Sequence, residues 1–340
     1  MKIINVPIEP LEERYSAQWG RWFINYFKDN DIDYITVKGK SYNSIRDGAF
    51  LDVVQTNRYK AEQLAEICTL LEKEEQECVI FLHDLWFPGL EMLAYIRDGL
   101  GLNFKICGCL HAGTYDPNDF LAKKGMGTWG KKLEESWFKI INTIFVATNY
   151  HRQLLLSTRK VDHRKIYVTG FPIYKDEIDM SKGVRKENIV VFPHRLDDEK
   201  RPDLFHRLAK ECKTMHEFKG WKFLMTKHRC KTKEEYYRLL AISKIAVSFA
   251  EQETWGIAMQ EAVFNGCYPI VPDRLSYSEM YDFHQIKNTF LYSDWEGLLK
   301  CMLSAKNKAD VENIKTSLEY RFSSAGEKAI HNMVNIMKLL

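Results

Sequence analysis

The sequence predicts an α/β protein made of two similar α/β domains with a cleft between them. The chain has 340 residues, which is enough for two domains of roughly 150 residues each. Strand-like apolar segments alternate with helix-like amphipathic segments in both halves, a pattern typical of parallel sheets with right-handed crossovers. A polar, highly charged stretch without periodicity, residues 174–187, separates the two alternations.

The first half supplies strand and helix candidates in regular order. Around residues 15–28 the apolar positions Trp19, Phe23 and Phe27 recur at helical spacing, which predicts one buried face. Predicted strands lie at 2–6, 33–37, 78–82, 105–110, 143–147 and 165–169, and predicted helices at 15–28, 58–75, 90–98 and 130–142.

The second half repeats the alternation after the charged stretch. Predicted strands lie at 188–192, 221–226, 245–249 and 268–271, and predicted helices at 202–211, 234–242, 256–264 and 325–340. In parallel sheets of this kind, ligands bind beyond the carboxyl ends of the strands. His83 and Asp84 follow one strand of the first half and His111 follows another, so we expect these side chains at that end of the sheet.

Composition and charge exclude several classes of protein. Hydrophobic residues make up 45% of the chain and charged residues 28%, which fits a globular protein and excludes a disordered, collagen-like or simple coiled-coil chain. No apolar run approaches the ~18 residues of a membrane helix, and the apolar run at the N-terminus stops at Pro7, too early for a signal-peptide core. We therefore expect a cytoplasmic protein, whose eight scattered cysteines are reduced thiols and hold no metal.

The segment 245–262 carries the richest set of polar residues. A strand ends near Phe249, an acidic loop with Glu253 follows, and a helix begins near Gly256. A helix N-terminus offers unpaired N–H groups that can hold a phosphate. Glu253 is expected in the loop and Glu261 about one turn into the helix, each able to accept hydroxyl hydrogen bonds. A solvated loop residue and an exposed helix residue remain the alternative.

The segment 190–204 places two cations in a loop between a strand and a helix. Arg195 follows the strand, Lys200 lies further along the loop, and the helix starts at Pro202. The planar fork of arginine and the compact charge of lysine both suit phosphate. Surface ion pairs with the neighbouring acids, Asp197 among them, are the alternative.

Together the two segments resemble the retaining glycosyltransferases of the two-Rossmann (GT-B) architecture, in particular the large family-4-like group. That group has Gly-Arg-Leu and Glu-Lys-Gly after one strand, and here the sequence reads His194-Arg195-Leu196 and Glu199-Lys200-Arg201. It also has a serine, a glutamate, a glycine and a second glutamate at E-x7-E spacing. The matching residues are Ser248, Glu253, Gly256 and Glu261, and the resemblance covers most of residues 188–282.

The resemblance implies a role for each matching residue. Arg195 and Lys200 would hold the diphosphate, aided by the N–H groups of Gly256 and Ile257. Glu253 would bind hydroxyls of the transferred sugar and Glu261 those of the ribose, while His111 would touch the sugar from the other domain. Ser248 and Trp255 complete the implied donor-binding set.

The resemblance also implies the chemistry and the domain plan. No metal, cofactor or protein nucleophile is obligatory, since the leaving phosphate can take the acceptor's proton on the same face of the sugar. Residues 1–170 would form the Rossmann-like acceptor domain, 171–322 the nucleotide-sugar donor domain, and 323–340 a helix returning to the first domain.

The acceptor stays open at this stage. His83, Asp84 and Tyr115 are acceptor-side candidates, with a structural His83–Asp84 pair as the alternative. The opening segment 8–15, with Trp19, resembles short phage-type enzymes that glycosylate hydroxymethylated DNA bases, so a DNA acceptor is one hypothesis. A glycan or small-molecule acceptor, and an inactive sugar-nucleotide-binding module, are the others.

Two motif matches carry less weight. Residues 125–130 spell G-x-G-x-x-G without a clear preceding strand, which favours a mobile loop over dinucleotide binding. Asp31-Ile32-Asp33 spells the D-x-D of metal-dependent glycosyltransferases, but it lies between a helix end and a strand start.

Two basic clusters are either solvated surface or a track for a polyanion such as DNA or RNA. The net charge of +3 is too small to decide between these. The first cluster comprises Arg152, Arg159, Lys160, Arg164 and Lys165, and the second Lys222, Lys227, His228, Arg229, Lys231 and Lys233.

Overall fold

Parallel strands with intervening helices organise both halves of the chain in the computed structural model. The structure describes residues 1–11, 14–40, 52–72, 77–282, 290–306 and 311–340. The chain divides into a first unit, Met1–Pro172 with Lys328–Leu340, and a second unit, Ile173–Glu327. The predicted fold class, α/β with two Rossmann-like sheets, is confirmed.

The first unit contains a six-stranded parallel sheet in the order β2-β1-β3-β4-β5-β6. Its strands are β1 (Lys2–Val6), β2 (Tyr34–Thr36), β3 (Cys78–Leu82), β4 (Lys105–Cys109), β5 (Thr143–Val146) and β6 (Ile166–Val168). Its helices are α1 (Tyr15–Asp29), α2 (Val53–Leu71), α3 (Leu90–Leu100), α4 (Gly127–Ile140) and α5 (Asn149–Thr158). Every residue of β3 is buried, as expected for a strand covered by helices on both faces.

The second unit contains a five-stranded parallel sheet in the order β11-β10-β9-β7-β8. Its strands are β7 (Glu187–Phe192), β8 (Lys222–Met225), β9 (Ser243–Val247), β10 (Tyr268–Pro272) and β11 (Leu291–Tyr292). Its helices are α6 (Pro202–Cys212), α7 (Lys233–Ile242), α8 (Ile257–Phe264), α9 (Leu275–Met280) and α10 (Trp295–Lys306).

The final helix, α11 (Val311–Met337), begins earlier than the predicted 325–340. Its last residues belong to the first unit, where His331 Nδ1 lies 2.9 Å from the Tyr26 hydroxyl and Met333 contacts Cys109. None of the described helices is both long enough and apolar enough to span a lipid bilayer.

Two expectations about local structure change, and a third falls partly outside the described residues. The G-x-G-x-x-G segment is helical rather than a loop: only Gly125 has a positive φ, +82°, and α4 begins at Gly127. The predicted helix 58–75 ends at Leu71, and its positions 73–75 lie outside the described residues. In the opening segment 8–15, Glu12 and Glu13 also lie outside them.

Candidate active site

The second sheet changes chain direction between β7 and β9. The chain runs from β7 outward to β8 and then returns to add β9 on the other side of β7. β7 and β9 are parallel neighbours, with Val191 opposite Ala246, so the loops that follow them emerge side by side. Such a switch point is where open α/β sheets bind ligands, and the Arg195–Lys200 loop and the Glu253 loop both lie there.

Lys200 joins the two loops. Its Nζ lies 2.5 Å from the Gln252 carbonyl oxygen and 3.4 Å from Glu253 Oε2. The side chain is only 7% exposed, so the ammonium lies within the site rather than at the surface. A further link comes from the Glu251 N–H, which donates to the Glu199 carbonyl at 2.7 Å.

Arg195 lies in the same loop but is more open. Its side chain is 40% exposed and contacts Asp197 at 3.4 Å and Glu199 at 3.2 Å. These are the surface ion pairs that the sequence offered as the alternative to phosphate binding. A half-open guanidinium that pairs with carboxylates can also turn to an incoming phosphate, which it binds with two parallel hydrogen bonds.

Glu253 holds together the turn that leads into α8. Its Oε1 accepts the N–H groups of Thr254 at 3.1 Å, Trp255 at 3.3 Å and Gly256 at 2.9 Å. Burial raises the pKa of Glu253, but the charge of Lys200 and the hydrogen bond from the Gly256 N–H lower it by more. The pKa of Glu253 therefore lies below its ordinary value. Glu253 is therefore an ionised hydrogen-bond acceptor near neutral pH.

These hydrogen bonds bear on one expectation about the phosphate contacts, which stays a prediction. The Gly256 N–H is taken by Glu253, while no bond within the described residues takes the half-buried Ile257 N–H. Gly256 has φ +61°, and a Cβ there would lie 2.9 Å from Tyr277 Cε1. The turn into α8 therefore requires glycine.

Ser248 and Trp255 are buried beneath the loop. Ser248 is 0% exposed, and its Oγ lies 3.1 Å from the Tyr277 hydroxyl and accepts the Ala250 N–H at 3.3 Å. Trp255 is 6% exposed. Ser248 directly follows β9 and continues its packing. The expectation that Ser248 and Trp255 take part in donor binding stays a prediction.

Glu261 lies within α8 and Glu253 in the preceding loop, as the spacing predicted. Glu261 is 3% exposed. Its carboxylate accepts hydrogen bonds from Lys233 Nζ at 2.6 Å, the Tyr236 hydroxyl at 2.9 Å and the Tyr237 hydroxyl at 3.0 Å. The exposed-helix alternative is therefore wrong, and the role at the ribose stays a prediction.

Two further residues shape the site, and sequence reasoning missed both roles. Arg274 donates to the carbonyls of Phe249 at 2.9 Å and Ala250 at 3.0 Å, which fixes the start of the Glu253 loop. Its position after the β10 strand was the only signal. His194 is 4% exposed, and burial, followed by the charge of Lys200, lowers its pKa to about 3, so it is neutral.

In the first unit, the polar residues at the strand ends face different ways. His83 is 0% exposed, its Nε2 lies 2.7 Å from Asn5 Oδ1, and burial lowers its pKa to about 3. The expectation that His83 acts on an acceptor is corrected, because its ring lies in the core. Asp84 points the other way, is 24% exposed and pairs with Lys60 Nζ at 2.8 Å.

Lys60 orients Asp84 and was not predicted. Its Nζ also donates to the Trp86 carbonyl at 2.5 Å. Burial raises the pKa of Asp84, but Lys60 and His111 together lower it by more. The pKa of Asp84 therefore lies below its ordinary value. The sequence carried no signal for this pair, which spans 24 positions and joins α2 to the end of β3.

His111 is partly buried beside this pair. Its Nε2 lies 2.7 Å from the His83 carbonyl oxygen, so Nε2 carries the proton and Nδ1 accepts from the Tyr15 hydroxyl at 3.2 Å. Burial lowers the pKa of His111, and Asp84 offsets only part of this shift. His111 is therefore a neutral imidazole with a fixed tautomer.

Tyr115 requires a correction. It is 2% exposed, and its hydroxyl lies 2.5 Å from His151 Nε2. The residue packs in the core of the first unit instead of facing an acceptor. The reason is the turn after Gly113, which directs the chain inward over the buried Glu134.

The D-x-D motif lies away from the carboxyl ends of the strands in the first sheet. Asp31 and Asp33 are exposed and precede β2, at the amino end of the first sheet. Within the described ranges, no group of three or more histidine, cysteine, aspartate or glutamate side chains is arranged to hold a metal ion.

Solved structures show the same fold, the GT-B architecture of two Rossmann-like domains. Sucrose-phosphate synthase from Thermosynechococcus elongatus superposes with a TM-score of 0.72 at 10% identity, covering 100% of this chain and 98% of that one. A UDP-forming α,α-trehalose-phosphate synthase from Burkholderia vietnamiensis gives 0.66 at 11% identity, with the same coverages. TarM gives 0.60 at 16%, covering 81% of this chain and 58% of that chain.

Curated proteins with similar sequences include a transferase that acts on tRNA. The tRNA-queuosine α-mannosyltransferase of Drosophila melanogaster is 30% identical over 148 residues. The match covers 35% of this chain and 38% of the relative's length. No family model matches the chain.

Proposed function

We propose that the chain is a retaining glycosyltransferase that moves a sugar from a nucleotide-diphosphate sugar to a hydroxyl group without a metal ion. The observation that carries this proposal is the Lys200–Glu253 pair at the switch point of the second sheet, with Arg195 in the same loop. The GT-B fold and the mannosyltransferase relative support it.

The charges at the switch point suit a sugar diphosphate. Arg195 offers a half-open planar fork, Lys200 a nearly buried ammonium, and Ile257 an N–H at a helix N-terminus. Lys200 lies 3.4 Å from the Glu253 carboxylate, longer than a strong charge-assisted hydrogen bond. A bound diphosphate would compete for this lysine and leave Glu253 to accept sugar hydroxyls.

In the proposed reaction the bond between the anomeric carbon and the phosphate oxygen breaks, and the acceptor oxygen bonds to the same carbon. The acceptor's proton passes to the departing phosphate on the same face, so the configuration is retained. Arg195 and Lys200 stabilise the negative charge that develops on the phosphate, and this preorganised electrostatic effect supplies most of the rate.

For the acceptor, we propose a hydroxyl on a nucleoside within a nucleic acid. The relative is named for transfer to tRNA queuosine. A glycan acceptor is the second candidate, favoured by TarM, which has been solved with UDP and α-GlcNAc-glycerol.

Release of nucleoside diphosphate from UDP-, GDP- and ADP-sugars tests the activity. We expect at least one sugar nucleotide to be turned over, with retained configuration by NMR. Glu253→Gln removes the charge and preserves the size of the side chain, and we expect it to lower kcat by about 10²-fold or more.

Glu251→Gln is the matched control for Glu253→Gln. Glu251 lies two residues earlier in the same loop, and its side chain pairs with Arg201. Glu251→Gln should retain most activity. Equal rates for wild type and Glu253→Gln would remove Glu253 from the mechanism, and no turnover of any sugar nucleotide would favour an inactive binding module.

A further inference from the structure

Of the two basic clusters, the first does not form a continuous surface. Arg159 is 6% exposed and paired with Glu134, and Arg164 is paired with Asp162 at 2.7 Å. Lys165 Nζ donates to three carbonyls at the end of α4, one of them the Ile141 oxygen at 2.6 Å. The side chains of these three residues are already engaged, so this cluster does not offer a track for a polyanion.

The second cluster divides by position. Lys222 begins β8 and lies at the amino end of the strand, paired with Glu187, while Lys233 is engaged by Glu261. The remaining cations, Lys227, His228, Arg229 and Lys231, lie together in the exposed loop 226–232 after the carboxyl end of β8. We call this segment the basic loop.

The basic loop is attached to the candidate active site at both ends. At its start, the Thr226 hydroxyl donates to the carbonyl of Phe192, the last residue of β7, at 3.3 Å. Directly after its end, Lys233 binds Glu261 at 2.6 Å. The loop therefore lies on the rim of the second sheet where Arg195 and Lys200 lie, one strand away from them.

The basic loop carries surplus positive charge. The side chains of Arg229 and Lys231 make no hydrogen bond or ion pair within the described residues. The nearest acids along the chain are engaged, since Glu234 pairs with Arg238 and the Glu235 carboxylate accepts the Lys231 backbone N–H at 2.7 Å. Arg229 and Lys231 thus face solvent on one rim, and the exposed Lys227 and His228 lie beside them.

We propose that the basic loop binds the phosphodiester backbone of a nucleic-acid acceptor beside the sugar-donor site. Arginine and lysine are the usual phosphate contacts of nucleic-acid-binding proteins, and each cation that neutralises a phosphate adds to the affinity. A membrane surface fits less well, because Cys230 is the only apolar side chain between Thr226 and Lys233 and interfacial anchoring needs an apolar face. This inference rests on the proposed function.

The test is fluorescence anisotropy with bulk tRNA and a 20-base-pair DNA duplex, using the full chain at several salt concentrations. We expect binding to at least one of them. The double variant Arg229→Glu/Lys231→Glu should weaken it at least tenfold and reduce the salt dependence by about two phosphate contacts. The affinity for nucleoside diphosphates should not change.

The matched control is Lys213→Glu/Lys219→Glu, which changes the net charge equally. Both residues are exposed and lie between α6 and the amino end of β8, away from the rim. The control should bind nucleic acid as wild type does. Equal weakening by both double variants would show a nonspecific charge effect and overturn the inference.

Two other results would also overturn it. One is binding to phosphatidylserine vesicles with none to tRNA or DNA. The other is loss of nucleic-acid binding only in Lys105→Glu/Lys139→Glu, since these lysines line a basic groove of about 560 Å³ at the amino ends of β4 and β5. The failure of this inference can be told apart from the failure of the proposed function. Sugar transfer to a glycan without nucleic-acid binding would refute the inference and leave the glycosyltransferase proposal intact. Nucleic-acid binding through the basic loop without turnover of any sugar nucleotide would refute the glycosyltransferase proposal and leave the binding of nucleic acid by the loop intact.

Discussion

At the scale of single residues, strand alternation decides which polar groups reach a ligand. Successive side chains of an extended chain point to opposite faces, so His83 enters the core while Asp84 remains partly exposed beside Lys60. The sequence identified both residues but not which one was accessible, since both faces of a parallel sheet are covered. Tyr115 was misplaced for a similar reason, because a polar side chain after a strand can still be buried with a partner.

Gly256 provides a test at this scale. Gly256→Ala should cost roughly 1–2 kcal/mol from the left-handed conformation alone, with more from the 2.9 Å approach to Tyr277. The measurement is the urea midpoint together with the affinity for nucleoside diphosphate.

Gly220→Ala is its control. Gly220 has φ +80° but open space around its Cβ position, so this variant carries the conformational cost without the contact. If Gly256→Ala lost no more stability than Gly220→Ala and kept full affinity, the close packing at the start of α8 would not matter.

At the scale of elements, continuous apolar runs allowed β3 to be predicted with its observed bounds, Cys78–Leu82. The helix α5 was missed because it lacks an apolar stripe: Leu154, Leu155 and Leu156 are consecutive, and only His151 and Leu155 are buried. β11 has two residues, too few to form a pattern. The convergence of the Arg195 and Glu253 loops was predictable, since both follow strands of one parallel sheet.

Long-range contacts that fix a loop were not predictable from local pattern. Arg274→Met should release the carbonyls of Phe249 and Ala250 and loosen the Glu253 loop. We expect faster amide hydrogen exchange across residues 249–256 and weaker binding of nucleoside diphosphate.

Arg238→Met serves for comparison, because Arg238 is 70% exposed and paired on α7. The amide hydrogen exchange of residues 249–256 in Arg238→Met should match that of the wild type. Unchanged exchange in Arg274→Met would show that the loop is held by other contacts, such as the one from Lys200.

At the scale of the whole molecule, buried neutral histidines couple stability to pH. Burial is the main cause that lowers the pKa values of His83, His151 and His194 to about 3, against an ordinary value of about 6.5. Between these two values the unfolded chain binds more protons than the folded chain. The free energy of unfolding should therefore fall as the pH drops below about 6.5, by up to about 1.4 kcal/mol per pH unit for each histidine.

Urea unfolding at pH 7.5, 6.0 and 5.0 measures this dependence. We expect the midpoint to fall steadily. His163→Gln replaces a histidine whose side chain is 68% exposed, and this control variant should show the wild-type slope. A midpoint that is flat from pH 7.5 to 5.0 would mean that these histidines are protonated in the folded protein.

The central claim is that the carboxyl ends of β7 and β9 bind a nucleoside diphosphate through Arg195 and Lys200. Calorimetric titration of UDP, GDP and ADP in the presence of EDTA measures this directly. The account predicts that the wild type binds at least one of these nucleotides. Lys200→Met should weaken this binding about tenfold or more. Arg201→Met is the control and should retain it, because the Arg201 side chain pairs with Asp203 and Glu251. Identical affinity in the wild type and Lys200→Met, or binding that disappears in EDTA, would contradict it.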